Sequence, residues 1–191
     1  MKYILNEKIF KYFFFILFFT TTSHSKIIDN IAKNLMETEN ISFIFSQKTG
    51  EIVEEGTCII VFPKKMKCTY ISDDGKEFYV KNNDAAIIKH KYKIKYNCRI
   101  TNTPFNVILD KNLLLDKIYQ VNNVTVVGND IIAQILLSNG NDLKVIFDQN
   151  SKNLKGWETT SMDQKKVVFR INEVKRNLIT VSYTHLTLPT S

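Results

Sequence analysis

Gly56-Thr-Cys-Ile-Ile-Val-Phe-Pro-Lys-Lys-Met-Lys-Cys-Thr-Tyr70 reads as two short strands folded about a proline. Cys58, Ile60 and Phe62 alternate before the turn, and Met66, Cys68 and Tyr70 alternate after it, with Lys65 and Lys67 set opposite. A period of two sends successive side chains to opposite faces of a pleated strand. So short a connection joins only antiparallel neighbours. The segment therefore predicts a hairpin about Pro63 to Lys65, apolar on one face and cationic on the other. On that centring Ile60 faces Cys68 and Cys58 faces Tyr70, which leaves the two sulfurs diagonal and poorly set to bond. With Cys98 the cysteines number three, so they cannot all pair within the chain. The favoured reading is that they are small buried hydrophobes, with one disulfide allowed but not required.

The same alternation extends in both directions. Ile41, Phe43 and Phe45 alternate with Ser42 and Ser46, and β-branched or aromatic residues dominate to about residue 102. Strands are expected near 41–49, 51–62, 66–71, 76–82, 85–90 and 92–100, divided by turn signals at Gly50, at Asp73-Asp74-Gly75, at Asn82-Asn83-Asp84 and around Lys91. Thr103-Pro104-Phe105 then opens a helix: Thr103 can cap it, Pro104 suits the first turn, and Phe105, Ile108, Leu109 and Leu113 share a face. Strands resume near 124–128, 131–138, 142–149, 153–160 and 165–174, with Asn139-Gly140 as a hairpin signal. Before all of these, Ile27, Ile28, Ile31 and Leu35 recur at helical spacing over 27–38. The expected fold class is α+β, mainly β: a single curved antiparallel sheet of about eleven strands with two helices on its inner face.

The ends are set apart by composition. Lys2, Lys8 and Lys11 precede an unbroken apolar run, Phe13 to Phe19, and small polar residues follow to Ser25. This is the pattern of a secretory signal peptide over residues 1–25, cleaved before Lys26, and an uncleaved N-terminal anchor is the alternative. Residues 26–180, about 155 in all, suit one domain. Val181 to Ser191 carries no residue charged at neutral pH in a chain rich in Lys, and is expected to be a non-native tail.

The formal charge is +7, and it falls to +5 once residues 1–25, with three Lys and one Glu, are removed. Lysine is spread along the chain without an Arg-rich cluster, so nucleic acid is not an expected partner. His90 and His185 are the only histidines after residue 25, and His90 is expected to be a solvated strand residue. No Gly-rich phosphate loop, Cys-x-x-Cys or His pair at ligand spacing occurs, so neither an enzyme activity nor a metal or cofactor is expected. What the chain has in abundance is apolar side chains, including 13 Phe and 8 Tyr. These suit either a large core or a lipid-binding cavity.

Phe45-Ser46-Gln47, Gly56-Thr57, Phe62-Pro63, Met66 to Tyr70, Thr103-Pro104-Phe105 and Gly156-Trp157-Glu158, taken in order over about residues 27–176, resemble the outer-membrane lipoprotein carrier (LolA) family. The resemblance implies an unclosed half-barrel with helices as a lid on the concave face. It also implies a periplasmic monomer that carries lipoprotein acyl chains from an inner-membrane ABC transporter to an outer-membrane receptor. Carriers of another lipid or glycolipid, and a protein-binding adaptor, are the alternatives. The implied cavity and lid residues are Phe43, Phe45, Ile60, Phe62, Met66, Cys68, Phe105, Ile108 and Leu109, and the same residues could equally fill a closed core. Many relatives carry Arg where this chain has Phe62, and that Arg helps hold the lid closed. Its absence implies a looser lid, a different latch or a divergent member. Trp157 is expected to be an anchoring core aromatic.

Overall fold

The computed structural model describes residues 22–121, 124–161 and 163–178, with the side chains of 22–25 excepted. The proposed signal peptide, apart from its last few residues, and the tail from 181 lie outside the described residues. Helix α1 (Thr22–Met36) leads into six strands: β1 (Asn40–Thr49), β2 (Ile52–Val61), β3 (Lys65–Tyr70), β4 (Lys76–Lys81), β5 (Asp84–Lys89) and β6 (Ile94–Arg99). Helices α2 (Pro104–Ile108) and α3 (Lys111–Gln120) follow. Five more strands complete the chain: β7 (Val124–Val127), β8 (Asp130–Leu136), β9 (Asp142–Asp148), β10 (Leu154–Thr160) and β11 (Lys166–Arg176).

All eleven strands form one antiparallel sheet in the order β6-β5-β4-β3-β2-β1-β11-β10-β9-β8-β7. Two up-and-down meanders are thus sewn together where β1 pairs with β11. The sheet does not close, and β6 and β7 are its free edges. This order fixes where the helices must go: the chain leaves at one edge and re-enters at the other, so α2 and α3 have to cross the open side of the curve. They bury Val107, Ile108, Leu114, Leu115 and Ile118 there, in one continuous core with Phe43, Phe45, Ile60, Met66, Ile131, Val145, Phe147 and Phe169.

The middle of the chain holds two helices, where the spacing predicts one. Leu109 ends the first, and Asp110 caps the second by accepting a hydrogen bond from the Leu113 backbone N–H at 3.2 Å. An Asp at that position satisfies an otherwise orphaned donor and restarts a helix after a bend. Thr103 does stand at the first helix's N-cap, but its hydroxyl donates back to the Ile100 carbonyl at 2.8 Å and makes no cap bond.

The β2–β3 hairpin keeps the predicted faces and changes the predicted register. Val61 pairs directly with Lys65, so Phe62, Pro63 and Lys64 alone make the turn, with a cis Phe62–Pro63 bond and Lys64 at φ 53°. The pairing slides by two residues. Ile60 then faces Met66 and Cys58 faces Cys68, with Cα atoms 4.1 Å apart and a disulfide between them. Because a slide of two preserves side-chain parity, every apolar residue stays on the side the alternation gave it. The diagonal placement of the sulfurs is corrected by the tighter turn, and the two cysteines are buried as well as bonded.

Glycine is required at two places. A Cβ on Gly56 would lie 2.1 Å from the Thr69 carbonyl oxygen and 2.8 Å from the Phe45 ring. Gly156, at φ 147°, would set one 2.1 Å from the Phe169 carbonyl oxygen, next to a register shift against β9. Each bare backbone lets an aromatic ring or a bent strand come close.

The cross-link closes a short loop, so chain-entropy reasoning assigns it about 2–3 kcal/mol. Reduction, or the double change Cys58→Ala and Cys68→Ala, is expected to lower the unfolding free energy by that amount, read as a lower urea midpoint. Equal midpoints for reduced and oxidised protein would show that the hairpin is held without it.

Candidate functional site

A belt of aromatic rings crosses the concave face of the half-barrel. Tyr70 meets Phe45 edge-on at 5.0 Å, Phe45 stacks on Phe169 at 5.0 Å, and Phe169 stacks on Trp157 at 4.0 Å. The belt continues into the helical cover: Phe105 of α2 stands edge-on to Trp157 at 6.0 Å and lies 5.1 Å from Phe78 on β4. Phe105 is therefore a wedge seated between two strands that are far apart in the sheet order. Tertiary contacts of this kind contribute by area and ring geometry and break no backbone ladder when they separate.

The residues expected to form the site lie together. Phe43, Phe45, Ile60, Met66, Cys68, Ile108 and Leu109 are fully buried in the common core, and Phe62 and Phe105 are half-buried against it. Side chains from the sheet and from the helices meet in that one cluster on the concave side. Trp157 is the buried anchor expected of it. One small opening lies at the rim, with about 20 Å³ of room, bordered by Leu35, Ile41, Phe62, Leu154, Val174 and the stem of Arg176. That is space for about one water molecule.

Polar ties at the rim hold the cover, and they are not at Phe62. The turn residue Lys64 donates its backbone N–H to the Leu109 carbonyl at 2.8 Å, where α2 ends. Its ammonium donates to Asn106 Oδ1 at 3.1 Å and Asn83 Oδ1 at 3.4 Å and stands 3.7 Å from Asp110. Lys111, the first residue of α3, donates to the carbonyls of Thr38 and Met36 at 3.0 and 3.2 Å, where a cation suits the exposed carbonyls at the end of α1. The same ammonium sits 5.6 Å from the Phe62 ring centroid. Two residues beyond Phe62, Lys64 thus ties the β2–β3 turn to the end of α2. Sequence reading missed Lys64 because in a strand-turn-strand pattern a turn lysine has no mark that separates it from its solvated neighbours.

A second polar cluster lies on the convex face. Glu77 Oε2 accepts from Tyr79 Oη at 2.7 Å and from His90 Nε2 at 2.8 Å, and its Oε1 takes Lys67 at 3.1 Å. His90 is thus corrected: it opens a 3-10 turn after β5, not a strand, and is bonded to a carboxylate. Burial works against a charged Glu77, but the hydrogen bonds from Tyr79, His90 and Lys67 outweigh it and hold the carboxyl down to about 2. The Lys67 ammonium is disfavoured by burial yet raised overall by Tyr79 and Glu77. Among the described residues no group of three or more His, Cys, Asp or Glu is placed to hold a metal ion, and no helix is long and apolar enough to cross a membrane.

No protein-family model matches the chain. No curated protein sequence matches it either. Solved structures similar to it include an uncharacterised conserved protein of Thermus thermophilus, at TM-score 0.49 and 8% identity, covering 83% of this chain and 90% of that one. A LolA superfamily protein of Nitrosomonas europaea scores 0.44 at 6% identity over 82% and 94% of the two chains. MucB of Pseudomonas aeruginosa, in its complex with MucA, scores 0.49 at 6% identity over 87% of this chain and 61% of its own. Scores and identities this low assign neither a family nor an activity.

Two outcomes are expected. Lys64→Met removes the rim ties while keeping the stem, and should cost about 1–2 kcal/mol. It should also raise binding of an environment-sensitive apolar dye at temperatures well below unfolding; a stability loss without dye uptake would make Lys64 a plain structural contact. For Glu77, a lowered folded-state value means that its stabilisation is complete above its ordinary 4.5 and is lost as pH falls toward about 2. Glu77→Gln should therefore flatten the stability profile across that interval, as followed by urea midpoints at successive pH values.

Proposed function

We infer that this chain is an exported carrier that shelters the acyl chains of a lipid or lipoprotein between its half-barrel and its helices. The observation that carries this reading is the wedge-and-tie construction of the cover. Phe105 and its neighbours bury apolar surface on the trough, while the connections between cover and sheet beyond packing are a few rim hydrogen bonds. Lifting α2 and α3 would expose Phe45, Phe78, Trp157 and Phe169 without disturbing any strand pair. An acyl chain contributes about 0.8 kcal/mol for each CH₂ it buries, so a trough of this composition offers it a favourable place once the wedge moves.

The compartment follows from two supports. The N-terminal sequence has the pattern of an export signal, and a disulfide inside a small β domain is the bond of an oxidising compartment. The periplasm satisfies both. The fuller role is a shuttle that receives acylated lipoproteins from an inner-membrane ABC transporter and delivers them to an outer-membrane receptor, by reversible capture without covalent chemistry. It rests on the resemblance of the ordered motifs to the lipoprotein carriers.

The test is direct. Protein isolated from the periplasm should release acylated peptide or lipid into organic solvent, identified by mass spectrometry, at about one per chain. Phe105→Glu is expected to abolish that load while keeping the β spectrum and costing about 2–3 kcal/mol of stability. Lipid-free protein that also fails to take up lipoprotein would overturn the carrier reading in favour of a protein-binding adaptor.

A further inference from the structure

The edge strand β6 stands apart from the rest of the sheet. Lys91 to Arg99 are nine consecutive exposed residues, whereas every other strand but the short β7 edge buries more than one side chain or packs them partly. Register shows which way they point. Cys98 faces Ala85, Tyr96 faces Ile87 and Ile94 faces Lys89. Directly opposed residues share a face, and Ala85 and Ile87 belong to the core or pack on it. Ile94, Tyr96 and Cys98 therefore continue the concave apolar face past the end of the helical cover, with Tyr96 54% and Ile94 39% exposed. Tyr92, in the turn before the strand, is 56% exposed.

Charge is equally one-sided here. Between Asp84 and Asp110 there is no acidic residue, while Lys89, Lys91, Lys93, Lys95 and Arg99 all fall in that interval. Lys89 is bonded to Asp74, and Arg99 stands 3.8 Å from Asp84. Lys95 and Arg99 occupy the face opposite Tyr96, as their pairing with Ile88 and Asp84 requires. The strand thus presents tyrosine and isoleucine on one side and cations on the other and at the turn.

We propose that β6 and its preceding turn form a docking edge for an anionic phospholipid surface. A bilayer meets the edge of a sheet end-on and touches both faces of the last strand, so it can take the apolar side chains and the cations together. Tyrosine and lysine are the side chains that divide themselves between the interface and its headgroups, and anionic headgroups attract each nearby cation. A polypeptide strand added to the edge would have to pair along a row of cations, and edge lysines are a recognised obstacle to such pairing. Docked in this way, the protein turns the uncovered end of its concave face toward the lipid.

Cys98 supplies the reporter. Cys58 and Cys68 are bonded to each other, so it is the one free thiol of the three. The purified chain labelled there with an environment-sensitive fluorophore is titrated with cargo-free phosphatidylcholine vesicles, with and without phosphatidylglycerol. The expected result is a blue-shifted rise in emission with the anionic vesicles only, suppressed by high salt. The double change Lys93→Glu and Lys95→Glu should weaken the response about tenfold or more. The double change to Arg should preserve it, and Tyr96→Ser should reduce the blue shift, with melting curves confirming that each variant is folded. An equal response to both vesicle types, no response to either, or an unchanged response in the Glu variant would overturn the proposal. So would a response to polyglutamate that vesicles fail to produce, which would favour an acidic polypeptide. Cargo is absent throughout, so these outcomes stand apart from those of the carrier test.

Discussion

The pairing of β1 with β11 is the constraint on which the rest depends. Two meanders of local hairpins are easy to form, but each alone has one apolar face and nothing to cover it. Joining them edge to edge between Asn40–Thr49 and Lys166–Arg176 brings Phe45 and Phe169 into a stack and makes one concave surface out of two. It also leaves β6 and β7 as the outermost strands, so the segment between them has to pass over that surface. The cover is thus a product of strand order before it is a product of helix chemistry. It is also the most non-local of the strand pairings, which makes it the costly step of chain closure.

Most of this fold is legible in the sequence because its strands are half-buried and alternate cleanly. The eleven strands, the helix before them and the helical interruption all follow from periodicity and turn residues, to within a few residues at each end. Register is the exception. The hairpin about Pro63 has an apolar set at every second position, so pairings two residues apart satisfy the pattern equally and only the turn geometry distinguishes them. That is why parity, and hence the core membership of Ile60, Met66 and Cys68, follows from the residues, while the Cys58–Cys68 pairing does not. The division of the middle helix was within reach: Asp110 stands where a cap residue should, but the apolar spacing runs across it.

The candidate site was legible as a face and not as a state. Alternation identifies Phe43, Phe45, Ile60 and Phe62 as companions, but whether companions enclose a space or fill it is decided by a few ångströms of helix position. The ties from Lys64 and Lys111 were harder still, because all but the Lys64–Asn83 bond connect residues 42 or more positions apart in sequence, and they use side chains that are common on any surface. Two of the motifs that carry the family resemblance do have local physical reasons. Gly56 and Gly156 are places where a backbone carbonyl comes too close for any Cβ, and the aromatic belt runs past both.

The strap from β6 to β7 joins the two free margins of a curved sheet, and this has a mechanical side. A bow strung in this way cannot open its limbs without tightening its string. Anything that spreads the trough increases the distance the strap must span, so tension in α2 and α3 rises with the width of the sheet. The curvature of the half-barrel and the position of its cover are therefore coupled, and the Cys58–Cys68 disulfide braces one limb of the bow without touching its string.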